Sequence, residues 1–168
     1  NAIIEKESNT LVVGCKGSNI PNDVTRIGNQ AFSGCDGLTT VTIPASVTSI
    51  GYCAFNRCTS LTTVTIPASV TSIDSRAFEG CDGLTTVTIG SGVNFIGVDA
   101  FFNCTAVTDV YCYADPDALT WDEGGCDDFI YDGSTKCHVT DAAPWSAFTD
   151  VNVTFEGDLA PEAETNEA

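Results

Sequence analysis

Cysteine recurs at a fixed interval, since Cys35, Cys58, Cys81 and Cys104 are each 23 residues apart. Zinc sites usually combine closely spaced C-x-x-C pairs or mix cysteine with histidine, and this interval provides neither. If successive 23-residue units stack, equivalent residues lie about 5 Å apart, which does not itself forbid a disulfide. Each cysteine nevertheless occupies a position that fits a small apolar group, and buried thiols behave as small hydrophobic side chains. The spacing therefore predicts free, structural thiols.

The remaining cysteines do not share this pattern, and the total of nine is odd. Cys53 lies at a position where the other units carry polar side chains, so we expect it to be exposed. Those side chains are Gln30, Arg76 and Asp99. Cys126 and Cys137 lie after the repeated segment. The sequence leaves open whether they form a disulfide.

His138 is the single histidine of the chain. Nucleophilic catalysis would require it to lie beside a serine or cysteine, with a carboxylate that orients the ring. The neighbouring Cys137 points to the opposite face if this segment is a strand. We therefore expect a structural histidine, no catalytic residues and no enzymatic activity.

Acidic residues cluster after the repeats, and their carboxylates are the oxygen ligands that calcium prefers. The cluster contains Asp115, Asp117, Asp122, Glu123, Asp127, Asp128 and Asp132. It lacks the D-x-D-x-D-G spacing of a dedicated calcium loop, so solvated acids are the favoured interpretation. The sequence predicts no metal site and no cofactor, while calcium binding by this cluster stays open.

An internal repeat surrounds the cysteines. Residues 36–58, 59–81 and 82–104 are three full units, and the stretch LTTVTIPASVTSI occurs in the first two. Apolar residues occupy fixed positions in every unit; in the first they are Leu38, Val41, Ile43, Val47, Ile50, Ala54, Phe55 and Cys58. One unit has too small a core to fold alone, so stacked units must bury these positions against each other.

The spacing within a unit predicts its local structure. Val41 and Ile43 alternate with threonines, which is typical of a half-buried strand, and Pro44 ends it because proline cannot donate to a sheet. The later spacing over residues 50–58 suits a short helical turn on the opposite side. A strand with the pattern L-x-x-V-x-I followed by a helical turn is typical of leucine-rich repeats.

The units VTSIGYCAFNRC and VTSIDSRAFEGC, joined to LTTVTIP, resemble the BspA-like leucine-rich repeats of bacterial cell-surface and secreted proteins. The resemblance covers roughly residues 16–112 and has the core pattern IPxxVTxIxxxAFxxC. It implies a curved solenoid with a parallel sheet on the concave face and short helical turns on the convex face. It also implies a secreted or cell-surface location and a role in adhesion or recognition of host or matrix proteins, without a catalytic site.

The repeat register predicts four parts. Residues 1–12 form an N-terminal capping hairpin, and residues 13–112 form the solenoid, whose first coil has Cys15 in the leucine position. Residues 113–156 form a C-terminal cap, in which Leu119 takes the isoleucine position of the last coil. The cap contains the short strand-like pieces KCHV and VNVTF, which are able to fold back over that coil. Residues 157–168 form an acidic, disordered tail.

Threonines define the candidate binding surface. Because Val41 and Ile43 point inward, the threonines between them point out of the concave face, and this row ends at an aspartate and a tyrosine. The candidate ligand-binding residues are Thr40, Thr42, Thr63, Thr65, Thr86, Thr88, Asp109 and Tyr111. A second row, at Thr39, Thr62, Thr85 and Thr108, runs alongside. Threonine is also a good exposed strand residue, so the row has a structural interpretation as well.

Net charge and hydropathy limit the partners. A net charge of −17 offers no basic stripe for nucleic acid, and no apolar run approaches the roughly 20 residues of a membrane span. No signal-peptide pattern is present, and a chain that begins at Asn1 is consistent with a mature protein or a fragment. We predict a monomeric, non-enzymatic module that binds a protein or glycan. The alternatives are an architectural spacer and, more remotely, an ice-binding threonine surface.

Overall fold

The computed structural model describes residues 2–17, 19–121, 135–140 and 154–160. In these ranges the repeated units form the stacked coils of a solenoid that runs through two sheets. The strands are β1 (Ile3–Glu5), β2 (Thr10–Val13), β3 (Arg26–Ile27), β4 (Ser49–Ile50), β5 (Thr63–Ile66), β6 (Ser72–Ile73), β7 (Thr86–Ile89), β8 (Phe95–Ile96), β9 (Asp109–Cys112), β10 (Thr120–Trp121), β11 (Lys136–Val139) and β12 (Thr154–Glu156).

One sheet, called here the long-strand sheet, has the order β5-β7-β9-β11-β12 with every neighbouring pair parallel. A parallel bridge between Thr40 and Thr63 continues it into the preceding coil. In β5, Val64 and Ile66 are buried while the two threonines are exposed, as the alternation in the sequence predicts. The predicted parallel sheet is therefore confirmed.

The other sheet, called here the short-strand sheet, has the order β1-β2-β3-β4-β6-β8-β10. Strands β1 and β2 form an antiparallel hairpin, and β2 pairs in parallel with β3 of the first coil. The strands β3, β4, β6 and β8 have two residues each and end in a buried isoleucine, which is Ile27, Ile50, Ile73 and Ile96 respectively. Two residues are too few to produce a detectable alternation, so this sheet was not predicted.

The described residues contain no helix, so the helical turns predicted for the convex side are not confirmed. After Ile50 the chain makes hydrogen bonds between residues three apart, such as Ala54 N to Gly51 O at 3.1 Å. The Phe55 amide instead donates to Ala77 O of the next coil at 2.7 Å. A residue with positive φ also interrupts each of these segments, and a right-handed helix cannot continue through it. These residues are Gln30, Cys53, Arg76 and Asp99.

Stacked phenylalanines run through the centre of the solenoid. Phe32, Phe55, Phe78 and Phe101 are each 0% exposed. Their ring centroids are 5.0, 5.0 and 5.1 Å apart, and neighbouring rings are within 6° of parallel. This spacing matches the distance between neighbouring strands, because each ring repeats its position from coil to coil.

The recurring cysteines are free thiols, as the spacing predicts. The Sγ atoms of Cys58, Cys81 and Cys104 each lie 3.2 Å from a phenylalanine carbonyl oxygen of an earlier coil. Cys35 makes a longer contact of 3.7 Å with Gly14 O and is half-buried. Cysteine suits this position because its side chain is small and apolar, while its thiol also donates a weak hydrogen bond to the phenylalanine carbonyl.

The prediction that Cys53 is exposed is wrong, because only 7% of the residue is accessible. Gln30 and Arg76, at the equivalent positions, are exposed through longer side chains. Cysteine ends at Sγ and does not reach the solvent. The Tyr52 hydroxyl also interacts with this thiol.

The coil that contains β10 is longer than the others. Trp121 pairs with Ile96, a separation of 121 − 96 = 25 residues, whereas Ile96 follows its partner Ile73 by 96 − 73 = 23. The prediction that Leu119 takes the isoleucine position is therefore wrong by two residues. Leu119 is nevertheless buried, at 7% exposure. Because an apolar residue stands at the expected position, the sequence pattern does not reveal the two extra residues of this coil.

The strand-like pieces KCHV and VNVTF lie, as far as the structure describes them, beside the strand of the last coil, and the cap over residues 113–156 stays a prediction. KCHV forms β11, which pairs edge to edge with β9, and residues 154–156 form β12 beside it. Both strands extend the long-strand sheet beyond β9. The pairing satisfies backbone groups that β9 would otherwise leave open at an edge. Residues 151–153 of VNVTF lie outside the described residues, as does Cys126, while Cys137 is a buried free thiol.

We expect Phe78→Ala to lower the free energy of unfolding by about 3–5 kcal/mol, because it removes a ring that stacks on two others and leaves a cavity. Ile3→Ala, at a residue 63% exposed, serves as the control and is expected to change it by less than about 0.5 kcal/mol. Urea denaturation followed by circular dichroism measures both. Equal effects of the two substitutions would contradict the assignment of the phenylalanines to the core.

We expect Cys58 and Cys81 to resist iodoacetamide in the native protein at pH 7.5. Burial raises the pKa of Cys58 to about 12, and a hydrogen bond with Cys104 together with burial raises the pKa of Cys81. The thiolate is the reactive form, so both residues stay unreactive until the chain unfolds. Peptide mapping by mass spectrometry should show exposed Cys15 modified first. Rapid native-state modification of Cys58 or Cys81 would count against their burial.

Candidate functional site

The long-strand sheet carries two outward rows of residues that follow from its register. In one row, Thr63, Thr86, Asp109 and Lys136 are successive partners. In the other, the successive partners are Thr65, Thr88, Tyr111, His138 and Glu156. The predicted site residues of β5, β7 and β9 therefore lie on one surface, and β11 and β12 add charged residues that the prediction did not include.

Six threonines form the regular part of this surface, called here the threonine face: Thr40, Thr42, Thr63, Thr65, Thr86 and Thr88. The first four are exposed and the two in β7 are half-buried. Within the described ranges, none of their hydroxyls makes a hydrogen bond to another part of the chain. The hydroxyls of the threonine face therefore stay available to water or to a partner.

The second predicted row of threonines has a different role. Thr62 Oγ1 donates to Thr39 O at 3.3 Å, and Thr85 Oγ1 donates to Thr62 O at 3.1 Å. Thr108 Oγ1 lies 3.4 Å from Thr85 O, but its proton is donated to Asp109 Oδ2 at 2.7 Å, so the series of hydroxyl bonds between coils ends at Thr85. Although Thr62 and Thr85 are exposed, their hydroxyls link successive coils. The two neighbouring rows of threonines therefore differ in role. One row uses its hydroxyls to link coils, and the other is the threonine face.

His138 lies at the C-terminal end of this surface and contacts two of the predicted ligand-binding residues, Asp109 and Tyr111. Its ring stacks on Tyr111 with centroids 4.6 Å apart and an interplanar angle of 13°. Its Nε2 is 3.1 Å from Asp109 Oδ1, and its Nδ1 is 2.9 Å from Asp158 Oδ1. Glu156 Oε2 lies 3.8 Å from the same Nδ1. Asp109, Tyr111, His138, Glu156 and Asp158 are called here the rim cluster.

The alternation of residues in KCHV indicates the position of His138, but the spacing of this segment departs from the repeat, so the prediction missed it. KCHV keeps the alternation of the strands, with Cys137 in the position of Val110 and His138 in that of Tyr111. Its distance from β9, 136 − 109 = 27 residues, departs from the interval of 23. The expected opposite orientation of Cys137 and His138 is confirmed, because Cys137 is buried in the core column while His138 faces Tyr111.

Opposite charges hold the rim cluster together. Burial lowers the pKa of His138, but the hydrogen bonds and charges of Asp109 and Asp158 raise it by more, so the pKa lies above its usual value. A neutral imidazole donates from one nitrogen only, so both carboxylate contacts are satisfied when the ring is protonated. Hydrogen bonds from Thr108 and then from His138 lower the pKa of Asp109. Lys136 pairs with Glu156 Oε1 at 3.1 Å.

The acidic cluster considered for calcium is described only at Asp115 and Asp117. Both are exposed, and the Asp117 amide donates to Asp115 Oδ1 at 3.0 Å within a turn. Asp122, Glu123, Asp127, Asp128 and Asp132 lie outside the described residues.

A strand of the pattern L-x-x-V-x-I in each coil and a parallel sheet built from these strands define a leucine-rich repeat solenoid. The BspA type leucine-rich repeat region matches residues 10–117 in six copies, which is more than half of the chain. The chain belongs to the BspA-type leucine-rich repeat family, and the predicted resemblance is confirmed. Proteins of this repeat class commonly mediate protein binding.

Solved structures of bacterial leucine-rich repeat proteins share the fold. The leucine-rich repeat protein of T. pallidum has a TM-score of 0.62 and 22% identity, over 82% of this chain and 67% of that chain. Pneumococcal vaccine antigen PcpA has a TM-score of 0.63 and 14% identity, over 96% of this chain and 46% of that chain. A leucine-rich cell surface protein from Faecalibacterium prausnitzii A2-165 has a TM-score of 0.56 and 25% identity, over 66% of this chain and 38% of that chain.

The alignments cover less than half of the length of the last two proteins. A comparison of the sequence with curated proteins finds no match. In the part of the chain that the structure describes, no helix is long and apolar enough to cross a membrane.

Adjacent residues Thr85 and Thr86 provide a matched test of the two threonine roles. We expect Thr85→Val to lower the free energy of unfolding by about 0.5–1.5 kcal/mol, because it removes the hydrogen bond to Thr62 O. Thr86→Val removes a hydroxyl without such a bond and should change stability by less than about 0.5 kcal/mol. Chemical denaturation of both variants gives the comparison. A larger loss for Thr86→Val would show that the free face was assigned incorrectly.

Proposed function

We propose that the chain is a non-enzymatic binding or adhesion module that recognises a protein or glycan through the threonine face and the rim cluster. The observation that carries the proposal is the contrast between the two threonine columns. One column uses its hydroxyls within the fold, as at Thr85, while the other presents hydroxyls that no described residue satisfies. A regular array of free donors and acceptors suits the hydroxyls and amides of a glycan or the backbone of a protein.

The rim cluster supplies the anchor that a uniform threonine surface lacks. Tyr111 is half-buried and its ring is held by stacking on His138, so an approaching partner meets a preorganised aromatic group. Tyrosine is enriched among residues that dominate binding energy, because its large rigid area also carries a polar end. The adjacent carboxylates add directional hydrogen-bond acceptors.

A depression lies at the opposite, N-terminal end of the threonine face. Its volume is about 710 Å³, and its lining includes Thr42, Thr65, Ile43 and Pro67. Loop residues Asn19 and Asn22 contribute amides to the same depression. An extended ligand that spans the face would contact amide and apolar groups at this end and an aromatic group at the other.

The proposed setting is secretion or display at a bacterial cell surface, with the chain acting as a monomer. Its family and the similarity to a protein named as a cell surface protein support this location. The net charge of −17 argues against nucleic acid as the partner. The second candidate is an architectural spacer. The uniformity of the face across β5 and β7 favours it, since stacked threonines also stabilise an exposed sheet without a partner.

Screening on an array of glycans and matrix proteins tests the proposal with two substitutions that restore the residue of other coils. Tyr111→Thr places the residue of Thr65 and Thr88 at the rim, and we expect it to lower affinity at least about tenfold. Phe95→Ser makes the matched change on the short-strand sheet, where Ser49 and Ser72 are the equivalents, and should leave affinity unchanged.

Thr65→Arg tests the face away from the rim, with Ser72→Arg on the other sheet as its control. Circular dichroism and thermal unfolding confirm that each variant is folded. If nothing on the array binds the native chain, or if both face variants bind as well as the native chain, the spacer interpretation is favoured instead.

A further inference from the structure

We propose that the rim cluster is a binding site for a divalent transition-metal ion such as Zn²⁺. The ligands are His138 Nδ1 and the carboxylates of Glu156 and Asp158, and Asp109 positions the imidazole from its other nitrogen. The site goes beyond the proposed binding function and does not depend on it.

Two of the three ligand-atom separations, those from His138 Nδ1, are already close to what such an ion requires. One donor atom from each of His138, Glu156 and Asp158 lies within 4.8 Å of the other two. Nδ1 is 2.9 Å from Asp158 Oδ1 and 3.8 Å from Glu156 Oε2. Tetrahedral zinc with bonds of 2.0–2.2 Å places its ligand atoms about 3.3 Å apart. Both distances therefore differ from the ideal by roughly half an ångström, within the reach of small side-chain rotations.

The fold brings the three ligands together through backbone pairing. His138 and Glu156 are register partners in the parallel strands β11 and β12, so their side chains leave the sheet side by side. The next segment stays against β11 because the Leu159 amide donates to Val139 O at 3.1 Å. Asp158 follows Glu156 by two residues and so returns to the same face. The site is therefore part of the sheet and differs from a group of acids on a loop.

The imidazole is oriented as a metal ligand would be. It is 9% exposed and stacks on Tyr111, which fixes the plane of the ring. Asp109 Oδ1 accepts a hydrogen bond from Nε2 at 3.1 Å, and Asp109 Oδ2 accepts another from the Thr108 hydroxyl at 2.7 Å. An ion that binds Nδ1 displaces the proton that this nitrogen otherwise donates to Asp158, while the proton on Nε2 stays with Asp109. The lone pair of Nδ1 is then directed at Glu156 and Asp158. Histidines that bind metals commonly have such a carboxylate partner on the other nitrogen.

The charge balance also favours a cation. Asp109, Glu156 and Asp158 provide three carboxylates, and Lys136 forms an ion pair with Glu156, through Oε1. Oε2 of Glu156 stays available to the ion. A nitrogen ligand with two carboxylates suits zinc and its first-row neighbours, whereas calcium takes six to eight oxygen ligands. Asp158 is exposed, so the remaining coordination positions are accessible to water.

Titration of the full chain, after treatment with a chelator, tests the site. We expect calorimetry at pH 7.5 to show one Zn²⁺ per chain and the Zn²⁺ complex to unfold at a higher temperature. A tenfold molar excess of Ca²⁺ should not compete. Co²⁺ should give visible absorption bands of a low-coordinate nitrogen and oxygen site, without the intense near-ultraviolet band of thiolate ligands. That spectrum separates the rim cluster from the cysteines.

Two ligand variants and a control localise the ion. His138→Gln and Asp158→Asn should each weaken Zn²⁺ binding at least tenfold, and Asp109→Asn should weaken it about 10–100-fold through loss of ring positioning. Asp115→Asn, which neutralises an exposed acid in a separate turn, should leave it unchanged. Circular dichroism verifies folding, and Asp158→Asn, at an exposed residue, is the variant least able to disturb it. Unchanged affinity in Asp158→Asn, a thiolate spectrum or no binding by the native chain would overturn the proposal.

Discussion

Backbone hydrogen bonding between successive coils is the constraint on which the whole structure depends. A single coil has no partner for its own strand groups, so amides such as Phe55 N and Thr85 N donate to the neighbouring coil, at Ala77 O and Thr62 O respectively. Because these bonds recur at the same positions, every coil must have nearly the same length and the same inward residues. The phenylalanine stack, the buried thiols and the outward threonine rows are all consequences of that repetition.

The repeated part of the fold could be predicted because each inward position recurs with similar chemistry. Val64, Val87 and Val110 are register partners, and a period of 23 residues identifies them without any structure. The second sheet was beyond such prediction, since its strands are two residues long and their buried isoleucines also fit a helical turn. Departures from the period were predictable only in part. Trp121 is displaced by two residues while Leu119 still satisfies hydrophobicity, so the insertion left no trace in the pattern.

The candidate site was likewise predictable from the sequence only in part. Alternation places Thr63, Asp109 and Tyr111 on the outward surface, and the strands confirm that geometry. Sequence could not distinguish Thr85 from Thr86, because the difference lies in whether the hydroxyl reaches a carbonyl of the preceding coil. Nor could it reveal His138 beside Asp109. That contact depends on a strand pairing after a connection whose length departs from the repeat, and on a carboxylate from Asp158 that approaches from beyond β12.

The parallel register of the long-strand sheet makes the distance between its two ends adjustable in fixed steps. Removing or adding one complete 23-residue unit preserves every partner relation in both sheets, and it moves the asparagine-lined depression relative to the rim cluster by one strand spacing, about 4.8 Å. The length of the threonine face therefore changes in equal steps of one strand spacing. Recombination between near-identical units, such as the two copies of LTTVTIPASVTSI, would change the distance between the depression and the rim cluster without altering the residues at either end.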